Sequence, residues 1–347
     1  MNAGRMAVLE ARPGAADVRA GGLSVLERQI WTLARAGFSR VEVSGVEPSW
    51  ERRLRLPLEV EIAWTPRPAD AGAARVSGDF LIRPAFLAEF LRRADAANLA
   101  DADGLKAVSL SGARQTVRAK AGDLFSLGQK TEPRRIRAWL RGCAVKPQDG
   151  FMARHFDRHL SWAVSSLLME TSVTPNMMSL ASLAVGLAGA LLFLSPERAV
   201  ELAGAFLVLF HSMIDGCDGE LARVRFQESR LGAKLDFWGD NAVHAALFCC
   251  LGVELSRMSG AWKPLALALA AILGALGSAA IFFHRKMASR LEPAAGAPES
   301  RPGLADFLAG RDFIYLLPPI VFFGWNYLFL QAAAVGAPIF FAAMLCA

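Results

Sequence analysis

The segments DGCDGELAR at 215–223 and GAKLDFWGD at 232–240 place four carboxylates at the ends of two apolar stretches. Asp215 and Asp218 fall on one stripe of the first predicted helix, and Asp236 and Asp240 share one face of the second. Ionisable side chains at membrane depth are costly and usually mark a functional site. If the two helices face each other, four negative charges surround one cavity, and one or two divalent cations would balance them. An all-oxygen ligand set selects Mg²⁺, Mn²⁺ or Ca²⁺.

Small residues accompany the aspartates on the same stripes. Gly219 and Ala222 lie on the first helix and Gly232 lies on the second, so they leave space beside the predicted cation for a flat or bulky group. Arg223 offers a fixed positive fork to a phosphate. Two alternatives stay open: a structural salt-bridge network with Arg223, and a cation channel or transporter that uses intramembrane acids.

The complete spacing, D-x2-D-G-x2-A-R-x8-G-x3-D-x3-D, resembles the signature of the CDP-alcohol phosphotransferase (CDP-alcohol phosphatidyltransferase) family at every defined position. The resemblance implies a membrane fold of six helices over roughly residues 150–347. It also implies an activity in which a metal-bound CDP-alcohol donates its phosphoryl-alcohol part to an acceptor hydroxyl and CMP leaves.

The resemblance carries residue roles with it. Asp215, Asp218 and Asp236 would bind Mg²⁺ or Mn²⁺, and Asp240 would be both a metal-site carboxylate and the catalytic base. The nucleotide-binding residues would be Gly219, Ala222, Arg223, Gly232 and Asn176.

Two upstream motifs point to one branch of this family. The motifs Arg154-His-Phe-Asp157-Arg158 and Val173-Thr-Pro-Asn176 resemble the di-myo-inositol-phosphate-phosphate synthases, which use CDP-inositol. Ser179 stands where that branch commonly has Thr, and Asp157 where it commonly has Asn. In that branch the Thr-Pro-Asn turn opens the first spanning helix near the nucleotide.

The second half of the chain reads as membrane-spanning, since a span needs about 20 mainly apolar residues. Phe313–Ala347 contains no charged residue and fits two short spans with a break near Gly324–Asn326. Together with the earlier stretches this predicts six spans, the first four being Asn176–Leu194, Val200–Ile214, Gly232–Leu255 and Pro264–Phe283. Before them, residues 151–169 predict an amphipathic helix on the membrane surface or, alternatively, packed on the soluble domain.

Loop charges predict the orientation. With the N-terminus cytoplasmic, nine Lys and Arg residues fall in loops on that side against three on the other. Four cations near the ends of the fourth and fifth spans could bind an acceptor phosphate, or could simply reflect this charge rule: Arg285, Lys286, Arg290 and Arg311.

Composition agrees with a membrane protein. The 347 residues are 54% hydrophobic and 20% charged, with a mean hydropathy of +0.32, which argues against disorder and against a wholly soluble enzyme. Five cysteines without a C-x-x-C pair give no sign of a zinc site or a disulfide framework, and no cleaved signal peptide is expected. Residues 1–170 hold 26 Lys and Arg against 19 Asp and Glu, which suits anionic lipid headgroups better than nucleic acid.

The first half predicts a small soluble α/β domain over residues 1–130, followed by an irregular linker over 131–150. Strands are expected near Met6–Ala11, Val41–Val43, Leu58–Trp64, Asp79–Ile82 and Ala107–Leu110, with helices at Leu23–Phe38 and about Pro84–Ala97, hence a parallel sheet. The domain resembles a sugar-phosphate cytidylyltransferase in Gly21–Ile30, in Ala36–Val43 and at Gly78-Asp79. The loop after the first strand, Glu10–Asp17, lacks the expected Gly-rich, basic nucleotide motif, so a degenerate, inactive domain is expected.

The sequence thus predicts an α-helical integral membrane domain behind a small soluble α/β domain, acting in phospholipid or inositol-phosphodiester synthesis. Its partners would be a CDP-alcohol donor, a hydroxyl acceptor, membrane lipids and a second copy of the chain, without nucleic acid. A bacterial-type inner membrane with the N-terminal domain in the cytoplasm is expected. A bifunctional cytidylyltransferase/phosphotransferase and a cation transporter are the alternatives.

Overall fold

The computed structural model describes residues 5–57, 59–66, 73–93, 97–120, 122–128, 132–144, 157–291 and 311–346. The chain divides into two compact units. The first unit comprises Met1–Val145, Ser166–Thr171 and Arg223–Phe226, and the second comprises Lys146–Ser165, Ser172–Ala222 and Gln227–Ala347.

The first unit is built on a mixed β-sheet. Its described strands are β1 (Arg5–Glu10), β2 (Arg19–Ala20), β3 (Leu23–Ser24), β4 (Phe38–Ser44), β5 (Glu61–Trp64), β6 (Ala74–Ser77), β7 (Phe80–Ile82), β8 (Ala97–Ala100), β9 (Lys106–Ser109), β10 (Gln115–Arg118) and β11 (Leu124–Ser126). Seven of them form one sheet in the order β10-β8-β9-β6-β1-β4-β5. The pairs β1/β4, β1/β6, β4/β5 and β8/β10 are parallel.

The expected all-parallel sheet is wrong at β9, which runs antiparallel to both β6 and β8. The cause is local. The amide of Asp101 donates to the carbonyl of Leu105, closing a short turn between β8 and β9. Parallel neighbours need a long crossover, so a turn of this length can only return the chain antiparallel.

Four helices accompany the sheet: α1 (Pro13–Ala16), α2 (Val25–Arg35), α3 (Pro84–Arg93) and α4 (Pro133–Ala144). A capping box fixes the start of α2, since the Ser24 hydroxyl accepts from the amide of Glu27 while the Glu27 carboxylate accepts from the amide of Ser24. Helix α4 corrects the expectation of an irregular linker over 131–150. It forms because Ile136, Leu140 and Ala144 recur every four residues and are all buried.

The later helices are α5 (Arg158–Leu168), α6 (Pro175–Leu191), α7 (Arg198–Arg225), α8 (Arg230–Ser259), α9 (Lys263–Leu291), α10 (Leu317–Phe323) and α11 (Asn326–Cys346). Five spans among the described residues are long and apolar enough to cross a membrane: Pro175–Leu194, Arg198–Arg225, Arg230–Ser259, Lys263–Arg285 and Asn326–Cys346. The first four lie on the predicted spans. The chain is therefore an integral membrane protein with an N-terminal α/β region.

The predicted fifth of six spans is represented by a shorter apolar segment, Phe313–Phe323. It ends where the sequence predicted a break, because Gly324 adopts a left-handed conformation with φ of 73°. Of the predicted surface helix over 151–169, α5 supplies residues 158–168, and residues 151–156 lie outside the described part of the chain.

Small residues let the membrane helices approach closely. A Cβ on Gly189 of α6 would come within 2.9 Å of the Gly204 carbonyl oxygen, and a Cβ on Gly204 of α7 within 2.7 Å of the Gly189 carbonyl oxygen. Backbone contact of this kind holds apolar helices together where lipid provides no hydrophobic driving force. The helix that carries Asp215 and Asp218 is thus fixed against α6.

Candidate metal centre

Three aspartates from two helices converge in the second unit. Asp215 of α7 and Asp236 and Asp240 of α8 each offer a carboxylate oxygen, and these atoms all lie within 4.8 Å of one another. Oxygen ligands on opposite sides of one ion are separated by about 4.2 Å for Mg²⁺ and by about 5 Å for Ca²⁺. A separation of up to 4.8 Å therefore fits a single hard cation after at most a small inward shift of the side chains. Asp215 and Asp240 are buried, and like charges so close in a low dielectric need a positive partner. The donor set therefore fits a divalent ion.

Asp218 faces a different partner. Its buried carboxylate accepts hydrogen bonds from the Ser179 hydroxyl of α6 and from the amide of Gly219. The structure thus gathers three of the four predicted ligands and directs the fourth carboxylate toward Ser179. Asp218 as a metal ligand stays a prediction.

A buried histidine lies beside the cluster. Nε2 of His211 is 3.5 Å from Oδ1 of Asp240, and Nδ1 is 2.8 Å from the hydroxyl of Ser182. All three side chains are buried. Sequence reasoning missed His211 and Ser182, although His211 precedes Asp215 by four residues and therefore shares its helix face.

Gly186 makes room for the imidazole. A Cβ at this position would lie 2.8 Å from Cγ of His211 and 2.7 Å from a methyl group of Val243. Contacts this short do not occur for real side chains, so a glycine is required here. The ring is consequently packed closely against α6 and has little freedom to turn.

The predicted nucleotide-binding residues are partly brought together. A Cβ on Gly232 would lie 2.9 Å from Oδ1 of Asn176, so the asparagine of α6 lies directly against the start of α8. Thr174 caps α6 by accepting from the amide of Met177 at 3.3 Å, and Ser229 caps α8 by accepting from the amide of Gly232 at 2.9 Å. These caps fix the backbone at both residues.

The predicted cations have varied positions. Arg223 belongs to the first unit, where its Nε donates to the Ala144 carbonyl at 2.9 Å. Arg285 donates to the Met344 carbonyl at 2.8 Å, which ties α9 to α11. The side chains of Lys286, Arg290 and Arg311 lie outside the described part of the structure. The structure therefore gathers no acceptor-binding cluster among the side chains it describes.

A buried ion pair lies next to the signature segment. Nη1 of Arg158 and the Ser161 hydroxyl both donate to one oxygen of Glu220, each at 2.8 Å. A Cβ on Gly216 would lie 3.3 Å from Nη1 of Arg158, so the small residue after Asp215 accommodates the guanidinium. Sequence reasoning singled out the motif containing Arg158 but did not pair it with Glu220.

In the first unit, Gly78-Asp79 follows the end of β6 and lies beside the end of β1. A Cβ on Gly78 would come within 2.3 Å of the Glu10 carbonyl oxygen, which requires a glycine. Nη1 of Arg12 forms an ion pair with Asp79 at 3.0 Å and also donates to the Leu127 carbonyl at 2.8 Å. The expected nucleotide loop is replaced by the short helix α1.

Known proteins match part of the chain. Over 121 residues the chain is 40% identical to the bifunctional IPC transferase and DIPP synthase of Thermococcus kodakarensis, covering 35% of this chain and 27% of that protein. Over 101 residues it is 30% identical to the phosphatidylinositol phosphate synthase of Mycobacterium bovis, covering 29% of this chain and 46% of that protein. The chain spans about a quarter of the length of the bifunctional relatives it matches.

A solved structure of the Mycobacterium tuberculosis phosphatidylinositol phosphate synthase with CDP-DAG bound matches with a TM-score of 0.41 and 24% identity, over 54% of this chain and 92% of that one. The model of the family described as CDP-alcohol phosphatidyltransferase matches residues 172–343, which include the converging aspartates. Residues 172–343 of this chain therefore form a CDP-alcohol phosphatidyltransferase domain.

Proposed function

We propose that the chain is a membrane transferase that moves a substituted phosphate group from a CDP-alcohol to an acceptor hydroxyl and releases CMP. The observation that carries this proposal is the convergence of Asp215, Asp236 and Asp240 within 4.8 Å, inside the family-matched segment. A salt-bridge network alone would not require three carboxylates to face one another.

The cofactor is Mg²⁺ or Mn²⁺, held by Asp215, Asp236 and Asp240, with Asp218 as the fourth carboxylate of the site. When bound, the ion neutralises the diphosphate and the charge that develops on the leaving group. Asn176 and Gly232 border the nucleotide pocket at the adjoining ends of α6 and α8. By their positions in the signature, Gly219, Ala222 and Arg223 are the further candidate nucleotide-binding residues.

Asp240 performs the proton transfer. As the acceptor oxygen forms a bond to the phosphorus that carries the donor alcohol, Asp240 takes the hydroxyl proton. The bond between that phosphorus and the oxygen of the CMP phosphate breaks, and CMP leaves with the bonding electron pair. Nε2 of His211 lies 3.5 Å from Oδ1 of Asp240, and we expect this neighbour to orient the carboxylate while it receives the proton.

The proposed substrate class rests on the relatives, whose names include DIPP synthase and phosphatidylinositol phosphate synthase. The donor is CDP-inositol or CDP-diacylglycerol, and the acceptor is a polyol or polyol phosphate. Arg285, Lys286, Arg290 and Arg311 are the candidate contacts of an acceptor phosphate.

The topology belongs to the same proposal. The apolar segment Phe313–Phe323 serves as a sixth span, the N-terminal domain faces the cytoplasm, and the protein is a homodimer in a bacterial-type inner membrane. Residues 1–130 form a degenerate nucleotidyltransferase-like domain, and residues 151–347 form the transferase domain. Nine loop cations against three, together with the six apolar segments, support this arrangement.

The test is a transfer assay on the full chain in proteoliposomes. Radiolabelled CDP-inositol and CDP-diacylglycerol are offered separately with Mg²⁺ and a panel of inositol, inositol phosphate and glycerol 3-phosphate. We expect CMP release that requires one donor, one acceptor and the metal. If neither donor binds in calorimetry and the proteoliposomes instead show cation flux, the chain is a transporter and the proposal is wrong.

A further inference from the structure

The first unit contains a large basic groove that the transferase chemistry does not use. Its volume is about 960 Å³, within the range of ligand sites. It lies between α3 and the strand β10, and its lining includes five cationic side chains against two carboxylates. The cations are Arg83, Arg93, Arg114, Arg118 and Lys120.

The cations differ in how they are neutralised. Arg83 lies 3.7 Å from Asp123, and Arg93 lies 2.6 Å from Glu89, so the two carboxylates of the lining are already paired. Arg114, Arg118 and Lys120 are exposed and form no hydrogen bond or ion pair with any side chain in the described ranges. Three cations in one concavity repel one another, and a concave wall concentrates their field.

The groove also has an apolar wall. Phe86 and Phe90 of α3 line this wall, and Phe90 is largely buried. The strand β10 on the opposite side of the groove is exposed at all four residues. Charges alone would be enough to protect an edge strand such as β10 from pairing with another chain. Protection of the edge strand would require neither a groove nor cations outside the strand. Here Arg114 precedes the start of β10 and Lys120 follows its end, so these two cations line the groove without belonging to the strand.

We propose that this groove binds a ligand carrying a phosphate monoester, with the phosphate held by Arg114, Arg118 and Lys120. Arg presents a planar fork that matches phosphate geometry, and Lys supplies a point charge. The rest of the ligand packs on Phe86 and Phe90. The phosphate belongs to an anionic lipid headgroup or to a small soluble phosphate ester, and the competition experiment distinguishes these sources.

The binding test uses the full chain in detergent with EDTA, so that the aspartate cluster holds no metal. Equilibrium dialysis with radiolabelled inorganic phosphate should show saturable binding. The triple variant Arg114→Gln/Arg118→Gln/Lys120→Gln should bind at least about tenfold more weakly, since it removes every unpaired cation of the groove. The control Arg5→Gln/Arg134→Gln/Arg135→Gln removes the same charge from exposed positions outside the groove and should bind as the wild type does.

Competition then identifies the source of the phosphate. Glycerol 3-phosphate and the short-chain lipid dihexanoyl phosphatidic acid carry the same phosphate monoester. Displacement by the lipid at concentrations tenfold lower assigns the groove to headgroups, and equal displacement assigns it to soluble esters. Circular dichroism and the thermal midpoint confirm that both variants are folded, and the single variant Arg118→Gln replaces the triple variant if that one is not. The proposal is overturned if the wild type shows no saturable binding, if both triple variants lose binding equally, or if neither competitor displaces phosphate.

Discussion

Nε2 of His211 lies 3.5 Å from Oδ1 of Asp240 in the interior of the membrane unit. The ring has little freedom to turn, because the Ser182 hydroxyl contacts its other nitrogen at 2.8 Å and the ring packs so closely on Gly186 that a Cβ there would lie 2.8 Å from Cγ. A carboxylate that takes a proton from an acceptor must keep one orientation through the reaction. We therefore expect His211 to position Asp240, as outer neighbours of metal-site residues commonly do.

Replacing His211 should lower turnover rather than donor affinity. His211→Ala removes the contact to Asp240, so we expect kcat to fall by about 10- to 100-fold while KM for the CDP-alcohol changes little. His211→Gln can return an N–H to the position of Nε2 and should recover most of the lost rate. The measurement is steady-state CMP release over a range of donor concentrations.

A matched pair of serines serves as the control for this network. Ser182→Ala removes the contact to Nδ1 of His211 and should reduce kcat, whereas Ser278→Ala removes a buried hydroxyl on α9 that bonds only the Gly274 carbonyl in the described structure. Ser278→Ala should leave turnover unchanged. Equal effects of both serine variants, or no rescue by His211→Gln, would show that His211 acts on stability alone.

The converging aspartates should bind metal independently of any substrate. Asp215→Asn and Asp236→Asn each remove one negative charge from the cluster, so Mn²⁺ affinity should fall and CMP release should drop by about 10²-fold or more. EDTA should abolish turnover, and added Mg²⁺ or Mn²⁺ should restore it. Titration of Mn²⁺ followed by electron paramagnetic resonance measures the affinity directly.

Glu254→Gln is the control for the loss of charge. Glu254 is a buried carboxylate on the same helix, α8, but follows Asp240 by 14 residues, or about 21 Å along the axis. Its neutralisation should leave Mn²⁺ binding unchanged. Turnover that persists in a strong chelator would refute the metal assignment.

Asp240 has two candidate roles that one variant separates. If it is the base, Asp240→Asn should reduce transfer by roughly 10²- to 10⁴-fold while CDP-alcohol affinity stays near normal, because Asp215 and Asp236 still hold the metal. If it is chiefly a ligand, affinity should fall with the rate and excess Mg²⁺ should partly restore both. Calorimetric titration of the CDP-alcohol at two Mg²⁺ concentrations distinguishes the two cases.

Ser179 tests the contribution of Asp218. The serine hydroxyl donates to the buried Asp218 carboxylate, and threonine would keep that donor whereas alanine would not. We therefore expect Ser179→Thr to retain activity within about twofold and Ser179→Ala to lose about tenfold, in the range of a lost hydrogen bond to a charged group. Comparable CMP release by the two variants would contradict a role for this hydrogen bond.

The sequence predicted the membrane unit better than the α/β unit. A membrane span is recognised from the length of an apolar stretch, and the face of a helix is recognised from the spacing of its residues. The sequence could therefore predict the spans and the approach of Asp215 to Asp236 and Asp240. The direction of Asp218 toward Ser179 depends on how α6 packs against α7, which spacing within one helix does not encode. The same holds for the contact of His211 with Ser182.

In the α/β unit the errors have a local cause. The antiparallel strand β9 follows from a turn closed between Asp101 and Leu105, and α4 follows from an apolar repeat within a very basic segment. Charge and irregular composition masked the repeat of Ile136, Leu140 and Ala144. The basic groove escaped notice because Arg93 and Arg118 are distant in sequence and meet only when β10 takes the edge of the sheet.

The α/β unit should be dispensable for the chemistry of phosphoryl transfer. Asp79 pairs with Arg12 at 3.0 Å, and the helix α1 stands where a nucleotide loop would be needed, so among the described residues this edge of the sheet presents no loop that would bind CTP. We expect Asp79→Ala and Arg12→Ala to release CMP at the wild-type rate, while Asp215→Asn in the same assay does not. We also expect the full chain to form no CDP-inositol from CTP and inositol phosphate. Formation of CDP-inositol that Asp79→Ala abolishes would establish a bifunctional enzyme, in which the ion pair with Arg12 opens to admit metal and nucleotide.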